Sequence, residues 1–496
     1  MILTLFSARG WQAWDVTHRP LIPEQMPVLI DDDLRFEDGP SAPRPTVAAN
    51  QWLRELPASG VPAPSSWESY ARALRAWMEF LPQHGVGLFD TRERLKLGLS
   101  RYAEHRAAGP LPARFAASTW AQHMSILALF YRWALAEGHA QAEPFTYRAA
   151  RALFAGTARE TQVNLAVRRT PKPHVTIKYL EPDFAELFLR GLRGLAPDGS
   201  PDSGYWGREL ARNAAVGELA LATGLRLQEF RHLLTYEIPA LPPAPTVAPI
   251  PFAVPGGVTK GRKFRTTWIS YQALAAVHQY LALDRAVTVD GSSWRPPARW
   301  GASLQVSDPD ARGGRVNGVR RPWAALTPAE RCRLVAPGGG SCLLAVKAGG
   351  GPFVAWSTVF ARTADRIRAR FEPRFPHVHP HRLRHSFAMR TLEDLVTGHY
   401  RQAAKLVTAT DADAALTLYL SKADPLLVLR DLLGHSSVLV TEKYLRRLDT
   451  TRIYREAYER AGAAEGLTDE VAAEREAAAE FADDLEDDLD VDEDGA

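Results

Sequence analysis

The sequence predicts a mainly α-helical protein with a small β-hairpin, an α+β chain in which a helical domain precedes a larger, mostly helical one. Three observations carry this: apolar stripes at helical spacing between residues 65 and 145, the return of helical signals beyond Asp183, and a strand-turn-strand pattern from Pro251 to Ser270. At 496 residues the chain exceeds one ordinary core, so two or three domains are expected. Apolar content of 46% and charged content of 24% are those of a soluble globular protein. No stretch approaches the ~18 apolar residues of a membrane span, so the cytoplasm is the expected compartment. Cys332 and Cys342 are too few for a disulfide framework or a thiolate zinc cluster.

Taken in order, residues 1–60 are rich in Pro and mixed charge without a clear period, an N-terminal extension of undefined fold. A helical domain is expected over 61–146. Its first helix opens on a Ser65-x-x-Glu68 capping box and buries Tyr70, Leu74, Trp77 and Leu81. The second runs from Asp90 through Leu95, Leu99 and Tyr102, and the third carries Trp120, Met124, Leu127, Tyr131 and Leu135 to a stop at Gly138. Residues 147–180 hold Arg151, Arg159, Arg168, Arg169, Lys172 and His174 with little hydrophobic period and read as a basic linker. In the second domain, 181–464, one helix ends at Gly224 and a new one starts around Leu225 with Phe230, Leu233 and Leu234. Two strands follow, Phe252 to Val254 and Phe264 to Ile269. Residues 285–350, with many Gly and Pro, and 393–423 read as insertions, the first mostly loop. Helices resume around Thr358.

The net charge of +3 conceals a division. From Glu465 onward 15 acidic residues face one Arg, so the tail 465–496 carries −14 and the rest +17. Such a tail buries too little apolar surface to fold alone. The basic body suits a nucleic-acid partner, although many basic surfaces are simply solvated.

Chemistry concentrates in the second domain. His381, Arg384 and His385 project from one helix face, where a guanidinium fork can take two phosphate oxygens and an imidazole can move a proton. Alone the trio is weak evidence, because helical histidines usually pack or cap. His435 and Tyr444 are nine residues apart, roughly 2.5 turns, and would oppose each other on one straight helix. Gly434 resolves this. Asp424-Pro425 starts a helix that ends at Gly434, and a second begins after Ser436, leaving His435 in the joint and Tyr444 about two turns into the second. A metal cluster of His377, His379, His381 and His385 lacks the glutamate of a zinc hydrolase, and the runs Gly338 to Gly340 and Gly349 to Gly351 lack a following Gly-Lys-Ser/Thr.

In chain order, Thr223-Gly-Leu-Arg226-Leu-Gln-Glu229, Thr259-Lys260-Gly261, His381-Arg-Leu-Arg384-His385 and Leu433-Gly-His435 followed by Tyr444 resemble the tyrosine recombinase (phage integrase) family over residues 65–460. The family's Arg, Lys, His, Arg, His, Tyr signature is matched in order, and the first helical domain is similar to its SAM-like core-binding domain. The resemblance implies a clamp of two domains around duplex DNA. It implies that Tyr444 attacks a phosphate to form a 3′-phosphotyrosyl link, that Arg226 and Arg384 hold the non-bridging oxygens, and that Lys260 protonates the leaving oxygen. His381 is the expected base for the tyrosine hydroxyl, His435 a phosphate donor, Glu229 an orienting group and His385 structural. Lys260 is preferred over Arg262 and Lys263 because Gly261 follows it. With DNA as partner, Lys263, Arg265, Arg168, Arg169 and Lys172 are expected on phosphates.

Arg226, Arg384, Lys260, His381 and His435 supply the positive charge that a metal would bring, so no metal and no cofactor are expected. The resemblance further implies a homotetramer on two DNA sites, with accessory recombination proteins compatible with it. Integration or excision of a mobile element is preferred to resolution of chromosome or plasmid dimers, because the insertions depart from compact members. A type IB topoisomerase and a DNA-binding regulator without activity are the remaining alternatives.

Overall fold

The computed structural model describes residues 1–7, 22–34, 44–61, 64–154, 157–167, 178–396, 424–435 and 437–445. These fall into two compact units, one within Met1–Val175 and the other within Thr176–Gly466. The expectations for Arg168, Arg169, Lys172, the insertion beyond Val396 and the acidic tail lie outside the described residues, as does the side chain of Ser65.

Aromatic side chains set the first unit. α1 (Pro45–Glu55), α2 (Pro64–Phe80), α3 (Arg92–Ala108) and α4 (Ala117–Ala136) surround a core in which Tyr70, Leu74, Trp77, Leu81, Leu95, Tyr102, Trp120, Met124, Leu127 and Tyr131 are all buried. The two predicted stripes thus face each other. At Trp77 and Tyr131 the buried polar atoms are paired, which matters because an unpaired buried donor costs ~1–3 kcal/mol. Trp77 Nε1 donates to the Tyr131 hydroxyl at 3.0 Å, and that hydroxyl donates to the Leu88 carbonyl at 2.9 Å. Gly138, at φ 77°, ends the α4 turn as its sequence implied.

The N-terminal extension has a fold after all. β1 (Ile2–Leu5) pairs antiparallel with β2 (Pro27–Ile30), and Met26, Leu29, Trp52 and Leu53 join the helical core. Asn50 fastens the pair to α1, its side-chain amide accepting from the Leu29 amide at 2.8 Å and donating to the Leu29 carbonyl at 2.7 Å. The segment read as a linker also departs from expectation: β3 (Tyr147–Phe154) and β4 (Thr157–Asn164) form an antiparallel hairpin, with Tyr147 opposite Asn164. Its composition hid this, since backbone pairing needs no apolar alternation.

The second unit is built around α6 (Leu210–Thr223), which packs against α5 (Pro182–Leu192), α8 (Tyr271–Tyr280) and α12 (Pro380–Val396). α7 (Leu227–Phe230) is a single turn, shorter than the sequence suggested. The predicted hairpin is present as β5 (Ile250–Val254) and β6 (Arg265–Ile269), with Phe252 opposite Thr267. α9 (Ala286–Val289) follows α8, and α11 (Trp356–Arg370) closes the core with Trp356, Phe360 and Ile367. α13 (Pro425–Leu433) and α14 (Val438–Leu445) complete it, α13 lying on β6 and α12.

The stretch 285–350 is a folded piece rather than mostly loop. β7 (Leu304–Ser307), β8 (Gly313–Val316) and β9 (Val319–Pro322) are antiparallel neighbours; β10 (Leu334–Val335), reached through the helical turn α10 (Pro328–Arg331), pairs parallel with β7. Val306, Val316, Trp323, Leu326, Leu334 and Leu343 form its own core. Arg331, fully buried, fastens it: the guanidinium makes a bidentate bond to Glu237 at 2.7 and 2.8 Å and donates to the His232 and Trp323 carbonyls. Four strands of two to four residues leave no period long enough to read in the sequence.

Candidate active site

Two helix ends with the same local chemistry frame the site. α6 stops at Gly224 (φ 61°) and α13 at Gly434 (φ 67°), both left-handed residues that L side chains adopt only with strain. Both are also crowded. A Cβ on Gly224 would lie 2.2 Å from the Phe387 ring, and one on Gly434 2.7 Å from Cδ of Arg265. Each helix end leaves carbonyls without intrahelical partners. Arg384, buried on α12, satisfies one at each: Nη1 donates to the Gly224 carbonyl at 2.7 Å and Nη2 to the Leu433 carbonyl at 2.6 Å. One guanidinium therefore brings three of the sequence motifs together.

Glu229 supplies the counter-charge. It is fully buried on α7, and its Oε2 accepts the Arg226 amide at 2.7 Å, as the third residue of a capping arrangement does. The same carboxylate takes both Arg265 nitrogens at 2.6 Å, while Arg226 Nη1 lies 3.5 Å away. Burial alone would raise the Glu229 carboxyl pKa; the hydrogen-bonded Arg265, with Arg384 and Arg226 nearby, outweighs it and holds the group below its ordinary value. Burial also lowers Arg384, to about 9, helped by Arg226 and Arg265 and opposed by Glu229 and Tyr444. A cation so destabilised gains from any anion brought beside it.

Arg265 thereby corrects an expectation. Its side chain is 8% exposed, its fork is held by Glu229 and its Nε donates to the Leu432 carbonyl at 3.1 Å, so it braces the site and does not offer itself to DNA. The signal available was Glu229 itself, a carboxylate next to Phe230 on a short turn, which burial obliges to find a cation.

The Tyr444 side chain lies in this frame, 1% exposed. α13 begins with Asp424 capping the Leu426 and Leu427 amides and ends at Gly434, and α14 then carries Tyr444 back to α12, as the broken-helix reading required. Its hydroxyl meets His385 Nδ1 at 2.8 Å. His381 had been expected at that hydroxyl and His385 to be structural; the geometry reverses their places because His385 lies on the buried side of α12 while His381 is partly exposed. The His381 ring meets His385 edge-on with centroids 4.3 Å apart. The His435 ring lies parallel to Tyr444 at 6.3 Å, its Nδ1 3.0 Å from the Thr441 hydroxyl. Thr441, missed in the sequence, bonds this ring.

Lys260 sits at the exposed tip between β5 and β6, in a turn made by Gly261 (φ 70°) and Arg262 (φ 54°) and closed by Thr259, whose hydroxyl bonds the Gly256 and Lys263 carbonyls. Lys263 is exposed on the same tip. Arg226, Glu229, Arg265, Arg384, His381, His385, His435 and Tyr444 form one continuous cluster; the two lysines stand on the turn from which β6 enters it.

Residues 49–138 match the family model described as the phage integrase N-terminal SAM-like domain. No curated protein matches the sequence. Among solved structures, the XerH site-specific recombinase bound to palindromic difH substrate is 14% identical, with 83% of this chain and 84% of that one covered and a TM-score of 0.45. The Tn1549 transposon integrase in complex with transposon right end DNA is 16% identical over 84% and 99%, at a TM-score of 0.43, and the XerA recombinase 16% identical over 81% and 93%, at 0.31.

Proposed function

We propose that this chain, which carries a phage integrase SAM-like domain, is a tyrosine recombinase, an enzyme that cleaves and rejoins DNA through a covalent tyrosyl intermediate. The observation that carries the reading is the Tyr444 hydroxyl on His385, inside a frame of Arg226, Arg265 and Arg384 around a single carboxylate. A binding module has no need of a nucleophile beside so much buried positive charge.

In the proposed reaction the Tyr444 oxygen attacks the scissile phosphorus, forming the O–P bond as the bond to the 5′ oxygen breaks. The tyrosine proton passes to His385 when Nδ1 is the unprotonated ring nitrogen. His381, half in solvent, and His435 donate to the phosphate. Arg226, 30% exposed, and the remaining donors of Arg384 take the charge that grows on the non-bridging oxygens. Lys260 protonates the departing 5′ oxygen, and reversal by another 5′-hydroxyl rejoins the strand. Phosphodiester energy is kept in the tyrosyl link, so no nucleotide cofactor enters. The enzyme acts as a homotetramer on two duplex sites, integrating or excising a mobile element rather than resolving chromosome dimers; the folded insertion supports that preference, since a minimal resolvase has no use for it.

The test is denaturing capture of the full chain from cells, followed by sequencing of the DNA that stays attached. Wild type should retain DNA and Tyr444→Phe none, and the captured ends should map to the borders of an element. Adducts that persist in Tyr444→Phe would overturn the assignment of the nucleophile, and adducts confined to one chromosomal locus would favour resolution.

A further inference from the structure

The insertion that follows α9 carries a charge pattern the proposed chemistry leaves unused. Between Trp294 and Leu334 there are eight arginines, no lysine and three carboxylates, Asp308, Asp310 and Glu330. Arg331 is the buried anchor, but Arg295, Arg299, Arg312, Arg315, Arg320 and Arg321 are exposed. The sheet orders part of this set. Ser307, Arg315 and Arg320 are successive cross-strand partners, so they form one row across β7, β8 and β9. β9 is the last strand of its sheet, and all four of its residues are exposed. Asp308 and Asp310 pair with Arg315 and Arg320. Both pairs are solvent-exposed and so contribute little, leaving each guanidinium with donors for a stronger acid.

The placement of this edge matters more than its charge. β9 runs directly into the turn Trp323–Ala325, and that turn packs on Gly256–Val258, the start of the loop that presents Lys260. The approach is backbone to backbone: a Cβ on Gly257 would fall 2.5 Å from the Leu326 carbonyl and 2.7 Å from that of Ala324. Through Arg331 and Glu237 the insertion is also fixed to the segment after α7. Edge strand, lysine turn and the segment after α7 are thus packed against one another.

We infer that the arginine edge of this sheet is a second DNA-contacting element, which holds the phosphate backbone of duplex DNA beside the Lys260 turn. This rests on the recombinase reading for the identity of the partner. Guanidinium groups on a fixed strand are suited to a backbone of regularly spaced phosphates, whereas charges placed only to keep an edge strand from pairing with another chain would need no anchoring to the lysine turn.

Binding of the full chain to a fluorescent random-sequence duplex, measured over a salt series, tests it. The triple variant Arg315→Ala, Arg320→Ala, Arg321→Ala should lower the slope of log affinity against log salt by about 2–3 and weaken binding ~10- to 100-fold, while the Arg→Lys triple keeps the slope. An alanine triple with the wild-type slope would overturn the inference. Because those variants could perturb the sheet, amide exchange on the unaltered protein gives a second readout: adding the duplex should protect residues 313–322, and no protection there would equally overturn it. Wild-type adducts without such protection sink this inference alone; protection without any Tyr444 adduct sinks the recombinase reading instead.

Discussion

Arg226, Arg265 and Arg384 all depend on one carboxylate, and that dependence makes Glu229 the residue whose loss should cost most. Glu229→Gln removes the carboxylate of the frame and leaves Arg265 buried without its ion pair. The expected penalty is about 3–5 kcal/mol in urea unfolding, together with loss of adduct formation. A loss of adducts with unchanged stability would show that Glu229 serves chemistry alone. For the proposed nucleophile, His385→Gln should slow cleavage at least ~100-fold and flatten its pH profile, and His381→Gln should leave the pH profile in place. Equal profiles for both would return the base role to His381. Arg226, Glu229, His381, Arg384, His385, His435 and Tyr444 stood out in the sequence because each carries distinctive chemistry at a fixed spacing; the place of Arg265 and the pairing among them did not, since which of two histidines on one helix turns inward depends on the packing of α12.

At the scale of elements, local signals proved most reliable where they are steric. Asp424, Gly434 and Gly224 marked helix ends because capping and left-handed backbone are decided within a few residues. The hairpin β3–β4 and the insertion sheet were illegible for the opposite reason: their strands are short or polar, and the insertion core gathers Val306, Trp323 and Leu343 from across the segment. Gly434→Ala should combine a left-handed strain of ~1 kcal/mol with displacement of Arg265. Cleavage should therefore fall more than stability does, which single-turnover rates and melting curves together would reveal. If the rate tracks the melting temperature alone, Arg265 is not being moved.

Across the whole molecule, buried polar groups link stability to pH. His232 lies under the insertion, its Nδ1 bonded to the Gln228 carbonyl and its own carbonyl to Arg331. Burial first, and Arg231 second, lower its pKa from 6.5 to about 4. The unfolded chain therefore binds the proton more readily, so the stability this group contributes is complete above 6.5 and is lost as pH falls toward 4. Between pH 7 and 5 the second unit should lose about 2 kcal/mol, and His232→Gln should lose less, as followed by denaturant midpoints. A variant with the wild-type pH slope would assign the effect elsewhere. Length and the change in pattern led to an expectation of two or three domains; the described residues fall into two units, and the region matching the SAM-like model lies within the first.

The two carbonyls held by Arg384 belong to Gly224 and Leu433, and the nucleophile follows the second of them. During synthesis the arginine emerges long after the first carbonyl and before the second. On the proposed reading, a ribosome-bound chain holds its first unit while its cutting group does not yet exist. Strand breakage is, on the same reading, deferred until α14 has closed on α12.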